Sequence, residues 1–311
     1  MKIVAFSGGV GGAKLADGLA QCLPPSNLTV IVNTGDDFDH LGLRICPDLD
    51  TVVYTLAGLA NPATGWGRAE ETWNALETLQ TLGSETWFKL GDRDLGLHLE
   101  RTRRLAAGET LSQVTQHICR CWGIEHRILP VSDQRIATIV DTVEYGELPF
   151  QQYFVKHQCH PAVKGFRFEG IETAQAAPGV LSAIHRADAV VLTPSNPWVS
   201  LDPILCVPGI RQALEKKRIL AVSPIIAGKT VKGPAAKMFD ELGIAPSALA
   251  VAQHYHDLIE TLVIDRQDES QSQSIAALGI TPLVTDTIMK TRADRKRLAQ
   301  EILNYLQTLT A

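Results

Sequence analysis

Short runs of Val, Ile, Leu and Ala recur between longer amphipathic segments, and this alternation constrains the fold more than any other feature. Continuous apolar runs of this length are typical of parallel strands buried on both faces, with helices between them. The runs lie at residues 3–6, 28–33, 189–193, 219–223 and 262–265. We therefore predict an α/β fold with a Rossmann-like, doubly wound, mostly parallel sheet.

Apolar residues spaced three and four apart predict helices over residues 15–22, 210–217, 235–242 and 292–309. Between about 138 and 183 the pattern changes to alternating apolar residues with frequent glycine, which predicts a small inserted β-rich and helical element. We expect residues 1–311 to form a single Rossmann-like α/β domain that carries this insertion.

The charge balance argues against nucleic acids and anionic membranes as partners. The formal net charge is -5 at pH 7, and the basic residues form no long run. No stretch approaches the length of about 18 apolar residues that a membrane span requires, and no signal peptide is evident. We expect a cytoplasmic protein that acts on small molecules.

A glycine-rich segment, SGGVGGAK at residues 7–14, lies between the first predicted strand and the first predicted helix. Glycines let the backbone approach a phosphate, and a helix N-terminus directs N–H groups at it. The predicted ligands of donor phosphates are Gly8, Gly9, Gly11, Gly12 and Lys14. The segment is neither a Walker A loop nor a complete dinucleotide fingerprint. The alternative is a glycine turn that only packs the strand against the helix.

Aspartates cluster after the second predicted strand, within residues 33–40 and 46–51. Carboxylates at the carboxyl end of a parallel strand, opposite a phosphate loop, are suitable ligands for a Mg²⁺ ion that bridges to a diphosphate. We predict Mg²⁺ as the cofactor, with Asp36 and Asp50 as candidate catalytic carboxylates. The candidate metal ligands are Asp36, Asp37, Asp48 and Asp50. Alternatively, Asp36 binds a ribose, and Asp48 and Asp50 cap a helix that begins near Thr51.

Further candidates follow other predicted strands. Ser195 and Asn196 lie in a proline-rich turn and offer a hydroxyl and an amide to the donor, and Lys232 offers a charge to its phosphates, although a solvated lysine is the alternative. Residues 87–90 predict a strand and residues 91–94 a loop after it, where Arg93 offers a planar fork to an anion or a polar ring edge. A surface ion network is the alternative for Arg93.

Aromatic and histidine side chains give weaker signals. One of Trp66, Trp73 and Trp87 could stack on a flat ring, although tryptophans more often pack in a core. His98 has no metal-ligand spacing, and we expect it on a helix surface.

Several motifs together resemble the 2-phospho-L-lactate transferase family. The first three are SGGVGGAKL at 7–15, NTGDD at 33–37 and PDLDT at 47–51. The others are KLGDRD at 89–94, ILPVSD at 128–133, PSNP at 194–197, VSPII at 222–226 and KGPA at 232–235. The number and order of these motifs are far more specific than a single glycine loop.

The resemblance implies a Rossmann-like, Mg²⁺-dependent transferase of coenzyme F-420 biosynthesis. Such an enzyme moves a 2-phospholactyl or phosphoenolpyruvyl group from a guanosine diphosphate conjugate to the ribityl hydroxyl of the deazaflavin FO. The products are F-420-0, or its dehydro form, and GMP. The resemblance also implies that Asp50 and Arg93 contact FO, and it suggests a homodimer. The first loop looks like the bacterial branch, so the acyl group of the donor stays open.

Two other functions remain as alternatives at this point. A nucleotide-sugar-binding regulatory protein of a related superfamily would share a glycine-rich first loop and bind its ligand without consuming it. A nicotinamide-dependent dehydrogenase is less favoured because the fingerprint is incomplete.

Overall fold

The computed structural model of the chain describes residues 1–309, and a seven-stranded parallel sheet lies at its centre. In chain order the strands are β1 (Ile3–Ser7), β2 (Leu28–Val32), β3 (Phe38–His40), β4 (Leu43–Ile45), β5 (Arg127–Pro130), β6 (Ala137–Thr142), β7 (Gly146–Pro149), β8 (Val163–Glu169), β9 (Ala189–Leu192), β10 (Arg218–Val222), β11 (Ile225–Ile226), β12 (Lys229–Thr230), β13 (Thr261–Asp265) and β14 (Thr281–Thr285). The central sheet has the order β14-β13-β10-β9-β1-β2-β5.

The strand order reverses between β1 and β9. Ile3 of β1 pairs in parallel with Leu28 of β2 on one side and with Ala189 of β9 on the other. From β1 the chain fills one side of the sheet with β2 and β5, and then the other side with β9, β10, β13 and β14. This is the order of a Rossmann sheet, in which ligands bind at the carboxyl ends of the strands beside the reversal. The predicted fold class is therefore confirmed.

Helices cover both faces of the sheet. They are α1 (Gly9–Cys22), α2 (Pro47–Leu56), α3 (Asn74–Thr81), α4 (Asp92–Ala106), α5 (Leu111–Cys121), α6 (Val180–Arg186), α7 (Asp202–Leu205), α8 (Ile210–Leu214), α9 (Ala235–Glu241), α10 (Ala248–His254), α11 (Ser272–Ala276) and α12 (Arg292–Thr308). Successive residues of β1 face opposite layers, since Val4 and Phe6 belong to one buried cluster and Ile3 and Ala5 to the other. Both faces of this strand are thus buried, which explains its continuous apolar run in the sequence.

The predicted β-rich insertion is present as a three-stranded antiparallel sheet of order β7-β6-β8. A π-helical turn, Gln152–Lys156, lies between β7 and β8. Within the predicted span, α6 instead packs Val180 and Ile184 into the core beside the main sheet. The extent of 138–183 and the single domain of 1–311 stay predictions, and residues 310 and 311 lie outside the described part of the chain.

The local predictions near residue 90 were wrong. Residues 87–90 are irregular, and residues 92–94 form the first turn of α4. Trp87 and Phe88 of this segment are half-buried and pack in an aromatic cluster, in which Phe38 lies 5.8 Å from Trp87 and 4.9 Å from Phe88 between ring centroids. Ring packing replaces the strand pairing that the apolar pattern predicted.

Two helices begin earlier than predicted. The first starts at Gly9, inside the glycine segment, and the second starts at Pro47, where proline's fixed φ and missing N–H suit a first helical position. Among residues 1–309, no helix has the length and apolar character needed to cross a membrane.

Candidate active site

A cavity of about 700 Å³ opens at the carboxyl ends of β1, β2 and β9, beside the strand reversal. It brings together many of the residues predicted from sequence. Those on its wall are Gly8, Gly9, Gly11, Asp36, Asp48, Asp50, Ser195, Asn196 and Lys232. The site therefore lies where a Rossmann sheet binds its ligands.

The glycine segment both packs against β9 and lines the cavity. A side chain at Gly11 would place its Cβ 2.4 Å from the carbonyl oxygen of Pro194, and Gly9 has a φ of +61°. These glycines thus allow the turn and the close approach of two backbones. The first residues of α1 line the cavity as well, so this helix N-terminus faces the cavity. Gly12, one turn deeper, is enclosed by the side chains of Ser7 and Ser195.

Ser195 and Asn196 organise the turn after β9. The Ser195 hydroxyl accepts a 3.1 Å hydrogen bond from the Gly8 amide and donates to the Gly8 carbonyl at 2.7 Å. Asn196 Oδ1 accepts from the Trp198 amide at 3.0 Å and caps the π-helical turn Pro197–Leu201. Both residues are on the cavity wall, but much of their hydrogen-bonding capacity is used within the protein.

Asp36 and Asp48 form a buried carboxylate pair joined by one amide. Asn33 Nδ2 donates to Asp36 Oδ1 at 3.1 Å and to Asp48 Oδ2 at 3.0 Å. The other oxygen of Asp48 accepts from the Gly9 amide at 2.5 Å, and the other oxygen of Asp36 accepts from Gln151 Nε2 at 3.0 Å. Asp48 therefore caps α1, whereas the sequence alternative assigned it as a cap of its own helix.

Burial raises the pKa of Asp36 well above its usual range, and the neighbouring Asp48 and Asp37 raise it further. Burial also raises the pKa of Asp48 to about 6, although hydrogen bonds from Asn33 and Gly9 oppose the change. The groups that hydrogen-bond to this pair are neutral amides. Two adjacent buried carboxylates with neutral partners are suited to a cation.

The carboxylate pair suits Mg²⁺, which needs few protein ligands, better than it suits a metal ion coordinated by protein side chains alone. Within residues 1–309, no three or more His, Cys, Asp or Glu side chains are grouped to hold a metal ion. Mg²⁺ usually keeps several waters and binds through one or two carboxylates together with substrate phosphates. Asp36 and Asp48 can supply those carboxylates.

Asp37 does not line the large cavity, although it lies near Asp36 and Asp50. It is buried beside Cys46, whose thiol hydrogen-bonds to it, and the cavity wall is formed by Asp36 instead. Burial raises the pKa of Asp37 to about 8, although the Cys46 contact lowers it. Among the described residues, Asp37 Oδ1 has no hydrogen-bond partner.

Asp50 lies on the cavity wall in an ion pair that the sequence did not predict. Arg101 Nη1 donates to Asp50 Oδ2 at 3.1 Å, and Arg101 Nη2 pairs with Oδ1. His98, three residues before Arg101 on α4, lines the cavity and is only 1% exposed. The expectation that His98 lies on a helix surface was therefore wrong, because this face of α4 packs against the site.

Of the predicted cationic residues, Lys14 and Lys232 line one smaller cavity together, and Arg93 lines neither cavity. Arg93, in the first turn of α4, pairs with Glu70 at 2.9 Å, and its side chain is 49% exposed. Lys14 Nζ donates to the Met289 carbonyl at 2.9 Å and lines a smaller neighbouring cavity of about 100 Å³. Lys232 donates to the Thr64 carbonyl and lines both cavities.

Aromatic side chains form another part of the wall. Trp66, Trp87 and Phe88 line the large cavity, and so does the pair Phe150 and Phe154, whose rings stack with centroids 5.5 Å apart. A flat ring could therefore enter between apolar faces.

Three residues of the site were not predicted from the sequence: Asn33, Gln151 and Arg101. Asn33 has a usable signal, since it follows β2 within a quoted motif. Gln151 comes from the insertion and Arg101 from a helix face, and neither has a local pattern that points to the cavity.

Comparison with known proteins identifies the family to which this chain belongs. The family model described as 2-phospho-L-lactate transferase CofD matches residues 3–306. A phosphoenolpyruvate transferase from Streptomyces griseus is 42% identical over 316 residues, covering 97% of this chain and 99% of that protein. A 2-phospho-L-lactate transferase from Methanosarcina mazei is 36% identical over 301 residues, with coverage of 97% and 99%.

A solved structure gives independent support for the fold. A member of the UPF0052 family from Bacillus halodurans superimposes with a TM-score of 0.62 at 17% identity, covering 97% of this chain and 98% of that one. At this identity the likeness concerns the fold alone. The family match across nearly the whole chain and the two similar transferases carry the assignment further: the chain belongs to the 2-phospho-L-lactate transferase CofD family and is a transferase.

Proposed function

We propose that the chain transfers a phosphoenolpyruvyl or 2-phospholactyl group from a guanosine diphosphate conjugate to the ribityl hydroxyl of FO, and that GMP is released. One observation supports this most directly. The cavity combines the buried Asp36–Asp48 pair, the N-termini of α1 and α2 and an aromatic wall. The helix N-termini suit an anionic diphosphate, the carboxylate pair suits a divalent cation, and the aromatic wall suits a flat acceptor.

The donor diphosphate would bind near the two helix N-termini. The bond from the Gly9 amide to Asp48 brings the first turn of α1 beside the first turn of α2. Helix N-termini favour anions through their free N–H groups and dipoles. Gly11 would provide a backbone contact and Lys232 a positive charge, whereas the Gly8 amide already donates to Ser195. Ser195 and Asn196 would hold the facing turn in place.

Asp36 and Asp48 would hold Mg²⁺ against the donor. When bound, the ion supplies charge neutralisation for the diphosphate. Asp50 suits the acceptor better than the metal, because both of its oxygens already pair with Arg101.

The acceptor would lie along the aromatic wall. Its ring would pack on Trp87 and the Phe150–Phe154 pair, and its ribityl chain would extend toward Asp50. Arg93 precedes Asp94, which lines the cavity, and would reach FO after leaving Glu70.

The reaction would need positioning and charge stabilisation rather than a covalent enzyme intermediate. The ribityl oxygen forms a bond to the phosphorus that carries the acyl group. The bond from that phosphorus to the bridging oxygen breaks, and the oxygen leaves with GMP. The hydroxyl proton passes to a carboxylate of the wall, for which Asp50 is the candidate because Asp36 is proposed as a metal ligand.

The names of the relatives favour an enolpyruvyl donor. The proteins from Streptomyces griseus and Thermobifida fusca, 42% and 44% identical, are named phosphoenolpyruvate transferase. The protein from Methanosarcina mazei, named 2-phospho-L-lactate transferase, is 36% identical.

The decisive experiment is a donor comparison. Purified protein is mixed with FO, Mg²⁺ and, separately, the enolpyruvyl, lactyl and glyceryl guanosine diphosphates, and products are identified by mass spectrometry. We expect the enolpyruvyl conjugate to give two products: the enolpyruvyl phosphodiester of FO, and free GMP. The absence of GMP with every donor would contradict the proposal, and binding of a nucleotide sugar without turnover would favour the regulatory alternative.

We also propose a cytoplasmic homodimer, following the family resemblance. Light scattering should then give about twice the chain mass, and a monomer at assay concentration would contradict this part of the proposal.

A further inference from the structure

One buried guanidinium holds both oxygens of Asp50. Arg101 Nη1 lies 3.1 Å from Oδ2, and Nη2 pairs with Oδ1. Arg101 is 2% exposed and Asp50 is 6% exposed. The pair runs from α4 to the first turn of α2. A two-point contact between a planar guanidinium and a carboxylate fixes the orientation of the carboxylate as well as its position.

His98 supports Arg101 from the same face of α4. Its Nδ1 lies 3.2 Å from Arg101 Nη1, and its Nε2 lies 3.2 Å from Asp94 Oδ1. Because a guanidinium can only donate, Nδ1 is the acceptor in its contact with Arg101. The Tyr54 hydroxyl donates to Asp94 at 2.5 Å. These side chains form a polar chain in which Tyr54 bonds to Asp94 and Arg101 bonds to His98 and Asp50, while His98 Nε2 lies near Asp94 without a hydrogen bond to it.

Most of this chain faces the cavity. Tyr54, Asp94, His98 and Asp50 line it, and Arg101 lies behind them. Each oxygen of Asp50 has a lone pair beyond the one that meets Arg101. We propose that Arg101, supported by His98, is a positioning residue that orients Asp50 toward the hydroxyl groups of the acceptor. This inference rests on the proposed function, because it takes the acceptor to be a polyol that approaches Asp50.

A purely structural role makes a different prediction. The same ion pair fastens α4 to α2, and Arg101 Nη1 also lies 3.2 Å from the Arg44 carbonyl oxygen. If Arg101 only stabilised the fold, its substitution would lower stability and leave the KM values of the folded protein unchanged. A positioning residue changes the KM for the acceptor and leaves the KM for the donor unchanged.

Arg101→Lys separates these roles, because lysine keeps the charge and removes the two-point contact. We expect the KM for FO to rise about tenfold or more, as for loss of a charge-assisted hydrogen bond, and the KM for the guanosine diphosphate conjugate to stay within about twofold. Arg103→Lys is the matched control, since Arg103 lies on the same helix with its side chain 64% exposed. The control should change neither value.

His98→Phe gives a second measurement that leaves the ion pair intact and decides the question if Arg101→Lys does not fold. It should raise the KM for FO about threefold or more, because Arg101 loses a lateral contact. Equal increases in both KM values, or an unchanged KM for FO in the folded variants, would overturn the inference alone. A wild-type protein that releases no GMP would overturn the proposed function, and the inference with it.

Discussion

Asp48 on α2 accepts a 2.5 Å hydrogen bond from the backbone amide of Gly9 on α1. This contact places the N-termini of two helices side by side and directs the second oxygen of Asp48 to Asn33, next to Asp36. Helix capping and the candidate metal site therefore share one side chain.

Asp48→Asn should raise the Mg²⁺ concentration for half-maximal activity about tenfold or more, because one of two ligand carboxylates is lost while the amide oxygen can still accept from Gly9. The measurement is GMP release across a Mg²⁺ titration. Asp37→Asn is the comparison, since Asp37 is buried beside Cys46. Its Mg²⁺ requirement should stay within about twofold of wild type. An equal rise of the Mg²⁺ requirement in both variants would indicate that Asp37 is a metal ligand after all.

Asp50→Asn and Arg93→Ala should each reduce kcat/KM about a hundredfold if both residues contact the acceptor, which corresponds to roughly 3 kcal/mol of transition-state stabilisation. Arg93 pairs with Glu70 at the surface, so its replacement should change stability by less than about 1 kcal/mol. Circular dichroism would verify that both variants are folded. Full activity in both would refute the assignment of these residues to the site.

Gly11→Ala should destabilise the protein by about 1–3 kcal/mol, because the new Cβ would lie 2.4 Å from the Pro194 carbonyl oxygen and the two turns must separate. Denaturant unfolding measures the change. Gly96→Ala is the control, since Gly96 lies within α4 and a Cβ there meets no atom within 4 Å among the described residues. It should stabilise the protein by about 0.5–1 kcal/mol. A stable Gly11 variant would contradict the close approach.

Asp265→Asn should cost about 1–2 kcal/mol at neutral pH. Burial raises the pKa of Asp265, but hydrogen bonds from Gln267 and Thr287 outweigh it and hold the pKa below its usual value. A depressed pKa in the folded state gives stability that is present above the unfolded pKa of about 3.9 and is lost as pH falls through the folded value.

The stability difference between wild type and Asp265→Asn should therefore shrink as the pH falls below about 4. Urea unfolding at pH 7 and pH 3 measures it. The exposed Asp240→Asn should show no such difference at either pH. A difference that stays constant with pH would mean that Asp265 acts through packing alone.

The sequence predicts the five inner strands of the sheet because they are buried, and this burial produces continuous apolar runs. The edge strands β5 and β14 were not predicted, and β14 is exposed or half-buried over most of its length. Residues 87–90 were wrongly interpreted as a strand, because the half-buried rings of Trp87 and Phe88 pack against Phe38 and His40 instead. An apolar run in the sequence indicates that side chains avoid water, but it does not show whether they pair in a sheet or pack against other rings.

Site residues could be predicted from the sequence only where they lie close after the end of a predicted strand. The glycine segment and the aspartates follow strand ends directly, so the sheet brings them together. Asp36 and Asp37 are adjacent in sequence yet only Asp36 reaches the cavity, and this choice depends on the turn after β2. Arg101 depends on how α4 packs against α2, which no local pattern specifies.

The hydrogen bond from Gln151 to Asp36 joins the small antiparallel sheet to the parallel one at the site itself. A substitution that tilts the small sheet would displace this amide and alter the electrostatic environment of the carboxylate. If Asp36 holds the metal as proposed, substitutions in the small sheet that lie away from the cavity should therefore change the reaction rate.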